Sequence, residues 1–388
     1  MNPRIYLDYA ATTPLRPEVR ARMEPFLSGD SFGNPSSLHA DGQQAKRALD
    51  TARDTLADAL GCQFAEISFT GGGTESDNAA LFGVMLANKS RGNHLITTQI
   101  EHEAVTETAH FLETLGFRVT YLPVDEFGTV SPQSVADALT DDTILVSVMH
   151  ANNEVGTIQP LKEIADIVHT RGAFLHTDAV QTFGQLPVTV GALGADLITL
   201  SAHKIYGPKG VGALYVRSGI TIEPLLHGGG QERERRSGTE NVAAIAGFGE
   251  AVRCLLPERE AEAARLTPLR DRLWAGILAH LPNAVLNGHP THRLPNNLNF
   301  SLPGLDAETL LLSLDRAGVS ASSGSACTSG SIEPSHVLSA MGLSDARLKS
   351  ALRLTLGRGT TAEEIDRTVE IVAEIAERLG GVENVLKL

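Results

Sequence analysis

The sequence predicts an α/β protein with a mostly parallel sheet between helices and a second, smaller domain toward its C-terminus. Three observations carry this. Short apolar runs at 66–70, 94–97, 143–149, 173–177 and 196–200 alternate with helix-like segments. Glycine-rich or polar motifs follow these runs, where α/β sheets collect their ligands. Around Pro257 the composition shifts to the charged helical stretch Glu258-Arg-Glu-Ala-Glu-Ala-Ala, which reads as the passage into the second domain. The last segment opens with the capping box Thr361-Ala-Glu-Glu364 and sets Ile365, Val369, Val372, Ile375 and Leu379 on one face. It is expected to stop at Gly380-Gly381.

At 388 residues and 42% hydrophobic composition, the chain can bury a large core. A formal charge of -14 argues against a nonspecific nucleic-acid or anionic-membrane surface. Arg4, Asp8 and Arg16 interrupt any apolar run near Met1, and no stretch reaches the length of a membrane span, so the expected address is cytoplasmic. Cys62, Cys254 and Cys327 lie far apart and form no C-x-x-C, which indicates neither a disulfide framework nor a closed metal site.

Ser201-Ala-His-Lys204-Ile-Tyr-Gly207-Pro-Lys-Gly210 places one lysine between an apolar strand and a glycine-proline turn. A lysine packed there can lose its proton and attack a carbonyl, although a solvated surface lysine reads equally well from the decapeptide. Thr70-Gly-Gly-Gly-Thr74-Glu-Ser-Asp77 follows the first run and opens a helix, so bare N–H groups and Thr74 can surround a phosphate; a flexible turn is the plain alternative. It lacks the Gly-Lys-Ser/Thr ending of a nucleotide-hydrolysing loop.

Asp178 ends the fourth run, 26 residues before Lys204, where a carboxylate can keep a pyridine nitrogen protonated or simply cap the next helix. Gln181, one turn on, favours the first reading. His102, after another strand, can stack on a ring and move protons, or cap a helix. Arg353 sits amid apolar alternation, where a bidentate carboxylate would offset the cost of burying its charge; that partner is a substrate or an internal acid. Cys327, in Ser320-Ala-Ser-Ser-Gly-Ser-Ala-Cys-Thr-Ser-Gly330, has small neighbours and little hydrophobic reason for burial, which makes it a candidate reactive thiol. Cys62 and Cys254 read as core or boundary cysteines.

Together with Tyr6-Leu-Asp-Tyr-Ala-Ala-Thr12, Gly33-Asn-Pro-Ser-Ser37, Asn152-Asn153-Glu154-Val-Gly156 and Arg236-Ser-Gly-Thr239, these motifs run nearly end to end. The chain resembles the cysteine desulfurases of the NifS/IscS type, within the class-V aminotransferase-like pyridoxal-phosphate enzymes. The resemblance implies the type I fold of pyridoxal-phosphate transferases, with a seven-stranded sheet and a smaller α+β domain. It implies a large domain at 15–256 and a small domain of 1–14 plus 257–388, the latter carrying the cysteine loop at about 320–335.

It further implies pyridoxal 5'-phosphate in Schiff-base linkage to Lys204, with Asp178 on the ring nitrogen, Gln181 and Asn153 on the ring substituents and His102 above the ring. Gly73, Thr74, Ser201 and His203 would hold the phosphate, joined by Thr239 from the other subunit of a homodimer. Arg353, with Asn34 and Asn153, would hold the substrate, L-cysteine. Cys327 would take the substrate's sulfur as a persulfide, leaving L-alanine, and pass it to an acceptor protein such as an iron-sulfur scaffold or a thiolation enzyme. One thiol cannot fill an iron site alone, so cluster coordination through Cys327 would be transient at most. A selenocysteine lyase or another class-V activity is the alternative. Two departures from the family pattern stand out: Gly73 replaces a common alanine, and Thr177 and Val180 flank Asp178 where smaller or more apolar residues are usual.

Overall fold

A computed structural model describes residues 4–323 and 334–386, with backbone alone from 381. Cys327 lies outside the described residues. Each of the five expected apolar runs contains a strand, and two further strands complete a seven-stranded sheet. Its spatial order is Ile67–Thr70, Gly212–Val216, Leu197–Ser201, Phe174–Asp178, Thr143–Ser147, His94–Thr98 and Arg118–Leu122. The five from Leu197–Ser201 onward pair in parallel, whereas Gly212–Val216 runs antiparallel to both its neighbours.

Central strands that are buried on both faces need apolar runs, and these supply them: all five residues of Thr143–Ser147 and Leu197–Ser201 are buried. Helices cover both faces. Phe69, Val146, Leu175 and Ile198 belong to one apolar cluster, and Leu95, Leu145, Leu197 and Leu214 to another. A third cluster joins Leu7, Leu273, Phe300, Leu352 and Ile365 around a three-stranded antiparallel sheet in the order Ala351–Thr355, Asn297–Ser301, Val285–Asn287. The N-terminal arm reaches this region: Ile5–Tyr6 pairs in parallel with Val319–Ser320, and Asp8 bridges to Thr355. Buried Leu7, between these two contacts, ties the chain's start to its last third.

The capping box forms as expected, with Thr361 N–H donating to Glu364 and Glu364 N–H to Thr361 Oγ1. Ile365, Val369, Val372 and Ile375 are buried on the same face. The helix does not stop at Gly380-Gly381 but continues as Ala362–Leu386. Glycine inside a helix costs only about 1 kcal/mol and needs a following left-handed turn to end it. Gly61 shows that ending, with φ 67 after helix Ala40–Leu60.

Candidate active site

The C-terminal ends of the parallel strands open into a cavity of about 420 Å³. Lys204 enters it from the 3-10 turn Ala202–Lys204, directly after strand Leu197–Ser201. Two residues on, Tyr206 adopts φ 63, a left-handed conformation costly for an aromatic side chain. The arm enforces it: Thr13 Oγ1 accepts from Tyr206 N–H at 2.7 Å, and Arg16 N–H donates to Tyr206 O at 3.1 Å. Lys204 Nζ donates to the carbonyls of Ala10 at 2.5 Å and Ala11 at 2.8 Å. Burial, with Arg353 second, pushes its amine down to about 8 against the opposing pull of Asp178 and Asp8.

Asp178 stands at the end of strand Phe174–Asp178, and its Oδ1 accepts from Val180 N–H at 2.8 Å. Burial raises its pKa even though His102 and Lys204 favour the charged form. Asp77 and Glu101 share its surroundings. Burial and the Asp178 charge push Asp77 well above the ordinary carboxylate range, and burial pushes Glu101 up to about 8. His176, held between Ser147 Oγ at 2.8 Å and Thr199 Oγ1 at 3.1 Å, is kept neutral by burial, its pKa lowered to about 3.

No helix follows Asp178 directly, so the alternative reading of it as a helix cap does not hold. Residues 179–182 form a turn in which both Thr182 and Phe183 N–H groups bond the Ala179 carbonyl. Gln181 still reaches the cavity, with Nε2 donating to Ala10 O at 3.0 Å.

His102 caps a helix and also lines the cavity. Its Nδ1 accepts from Ala104 N–H at 3.0 Å, capping helix Glu103–Thr114, and its ring lines the cavity. With Nδ1 so engaged, the neutral ring carries its proton on Nε2. Gly73 begins helix Gly73–Ala87, and a Cβ there would lie 3.1 Å from Val180 Cγ2. Gly73 and Val180 are therefore linked departures: an alanine at 73 would crowd the valine at 180. Gly212, on the neighbouring strand, is also required, since a Cβ would sit 2.6 Å from the Gly72 carbonyl carbon.

Thr74, Asn153, Ser201, His203 and Arg353 complete the set that the fold brings together. Asn153 Oδ1 is buried without a hydrogen-bond partner. His203 Nδ1 lies 3.1 Å from Thr12 Oγ1. Arg353 also has an internal acid: Nη2 donates to Asp8 Oδ1 at 2.9 Å and Nη1 to Asn153 O at 3.0 Å, while Nε is buried and unpartnered. Asn34 and Thr239 are exposed and do not line this cavity.

Sequence reasoning missed Ala10 and Ala11, which act through backbone carbonyls, and Asp8, a salt-bridge partner 345 residues from Arg353. Asp77 had a signal, as an acid one turn past the glycine loop.

Comparison with known proteins places this arrangement. The chain matches the family described as Aminotransferase class-V over residues 5–368. It is 51% identical over 379 residues to "Cysteine desulfurase IscS" of Dictyoglomus turgidum, covering 98% of this chain and 96% of that protein. Among solved structures, a "NIFS-LIKE PROTEIN" superposes with a TM-score of 0.91 at 39% identity, covering 97% of this chain and 100% of the other. "SspA in complex with cysteine" superposes with a TM-score of 0.81 at 37% identity, covering 91% and 98%.

Proposed function

The chain belongs to the class-V aminotransferase family and is a pyridoxal-phosphate-dependent cysteine desulfurase, and from that membership we propose how its own residues remove sulfur from L-cysteine. The observation that carries the proposal is the convergence of Lys204, with its amine lowered to about 8, and buried Asp178 on one cavity beside a glycine-opened helix.

The donor set fits the coenzyme. Asp178 is a buried carboxyl that a protonated ring nitrogen would pair, and Asn153 Oδ1 is a buried acceptor without a donor. Gly73, Thr74, Ser201 and His203 offer N–H, hydroxyl and imidazole groups to a phosphate at the helix start, where the partial charge is positive. Gln181 is placed for a ring substituent. When bound, pyridoxal phosphate supplies an aldehyde for an amine and a ring that draws electrons from the substrate carbons.

Lys204 would hold the coenzyme covalently, and its Nζ, lowered to about 8, is placed to hold and move a proton. His102, which lines the cavity and has Nδ1 engaged by Ala104 N–H, is assigned as a second proton carrier through Nε2. Arg353, already oriented by Asp8, receives the substrate carboxylate. Cys327 attacks the substrate sulfur: an S–S bond forms on the enzyme, the substrate C–S bond breaks, and its electron pair, with a proton, ends in L-alanine.

The division into 15–256 and 1–14 plus 257–388 is part of this reading, supported by the pairing of Ile5–Tyr6 with Val319–Ser320. So is a homodimer in which exposed Thr239 serves the other subunit, and delivery of sulfur to a scaffold or thiolation enzyme. Among the described residues no helix is long and apolar enough to cross a membrane. We place the protein in the cytoplasm, where its thiols stay reduced.

The test is product analysis with L-cysteine as sole substrate. Alanine and released sulfur in equal amounts, with no keto acid, are expected; keto acid formation would make it an aminotransferase.

A further inference from the structure

Residues 231–236 run beside the glycine turn, and three of them adopt a conformation that L-residues avoid. Glu232, Arg233 and Glu234 have φ of 49, 57 and 66, three successive left-handed positions without a glycine. Only the surroundings can hold such a run.

They hold it through Glu232, which is 5% exposed. Its Oε2 accepts from Arg53 Nη1 at 2.7 Å and from Phe69 N–H at 2.9 Å, and its Oε1 accepts from Arg53 Nη2 at 2.8 Å. Arg53 also donates to Ile67 O at 2.7 Å, and its guanidinium lies 4.8 Å from the Phe69 ring centroid. The strap is thus riveted to strand Ile67–Thr70, which runs directly into Gly71. At the far end Arg236 Nε donates to Glu75 Oε1 at 2.9 Å, and Glu75 Oε2 accepts from Gly71 N–H at 2.8 Å. The glycine turn is fastened before it and after it.

We propose that Glu232 and Glu75 are positioning residues for phosphate recognition: the strained strap and the Glu75–Gly71 bond fix the aim of the N–H groups of Gly73 and Thr74. This rests on the assignment of the coenzyme phosphate to that turn. Neither residue lines the Lys204 cavity, so neither has a part in substrate chemistry. Glycine turns are loose by nature, and N–H groups that must converge on one anion need an external brace.

The test compares the apoenzyme's affinity for pyridoxal 5'-phosphate with that for pyridoxal, which has no phosphate, by absorbance titration, with inorganic phosphate as competitor. Glu75→Ala and Glu232→Ala should each weaken pyridoxal phosphate about tenfold, leave pyridoxal within about twofold, and require more inorganic phosphate to compete. Equal weakening of both ligands, or of neither, would overturn the proposal. Should Glu232→Ala not fold, Glu75→Ala decides alone. Thr74→Ala separates the two levels. If it leaves the phosphate preference intact, the assignment of the turn fails and the strap's role with it. If Thr74→Ala removes the preference while Glu75→Ala and Glu232→Ala keep it, only the strap is wrong.

Discussion

Lys204 and Ala10 meet at the cavity, the lysine Nζ donating to the alanine carbonyl at 2.5 Å. The N-terminal arm thereby supplies acceptors to the one amine placed for covalent chemistry. Burial outweighs that support and lowers the amine to about 8.

The first prediction follows from the sign of that shift. Only the neutral amine attacks an aldehyde, and half of it is neutral near pH 8 rather than near the ordinary 10.5. The rate at which apoenzyme captures pyridoxal phosphate should fall about tenfold per pH unit well below 8 and level off above it. Stopped-flow absorbance measures this, and a rate still climbing at about pH 10 would show an unperturbed lysine. Lys204→Ala should not capture the coenzyme covalently.

Arg353 is half engaged by Asp8 and Asn153, with Nε unpartnered. Arg353→Ala should raise KM for L-cysteine by at least about tenfold while the coenzyme spectrum stays normal, because a charge-assisted pair to the substrate carboxylate is lost. Asp8→Asn should raise KM less, since it removes an orienting group and not the contact. A spectrum lost together with KM would point instead to a structural role for the pair.

Gly73 and Val180 should be coupled. Gly73→Ala alone pushes a methyl toward Val180 Cγ2 at 3.1 Å and should weaken coenzyme binding by about 1 kcal/mol; Val180→Ala in the same chain should restore most of it. Additive effects of the two substitutions on coenzyme affinity would refute the coupling.

The described cysteines should be unreactive. Burial, reinforced by Glu66 and Asp58, pushes the Cys62 thiol up to about 12, and burial also raises Cys254. Near neutrality Cys62 holds only about one thiolate in ten thousand or fewer, against a few per cent for an ordinary thiol. Limited iodoacetamide labelling followed by peptide mapping should therefore find Cys327 first, and comparable labelling of Cys62 would contradict this.

Much of the site could be read because its residues fall directly after apolar runs. Lys204, Asp178, Thr74 and His102 each follow a run, and the fold brings their side chains to one cavity. Strands Arg118–Leu122 and Gly212–Val216 were missed for opposite reasons. The first interleaves Arg118 and Thr120 with its apolar residues and is partly exposed at the sheet edge, and the second lies behind a glycine-proline turn that reads as loop. Helix Ala362–Leu386 outran its glycines because glycine permits an ending without compelling one. The Asp8–Arg353 pair and the Glu232 rivet on Arg53 join residues 345 and 179 positions apart, which no local pattern encodes.

The account depends on Cys327 as the atom that receives sulfur, and one measurement tests it most directly. Coenzyme-loaded wild type and Cys327→Ser protein are each given one equivalent of L-cysteine, then analysed by intact and peptide mass spectrometry with alanine assayed in parallel. The wild type should gain one sulfur on the Cys327 peptide and release matching alanine, and the variant should keep its visible spectrum but form neither. Alanine from the Cys327→Ser protein, or the added sulfur on Cys62 or Cys254, would contradict the account.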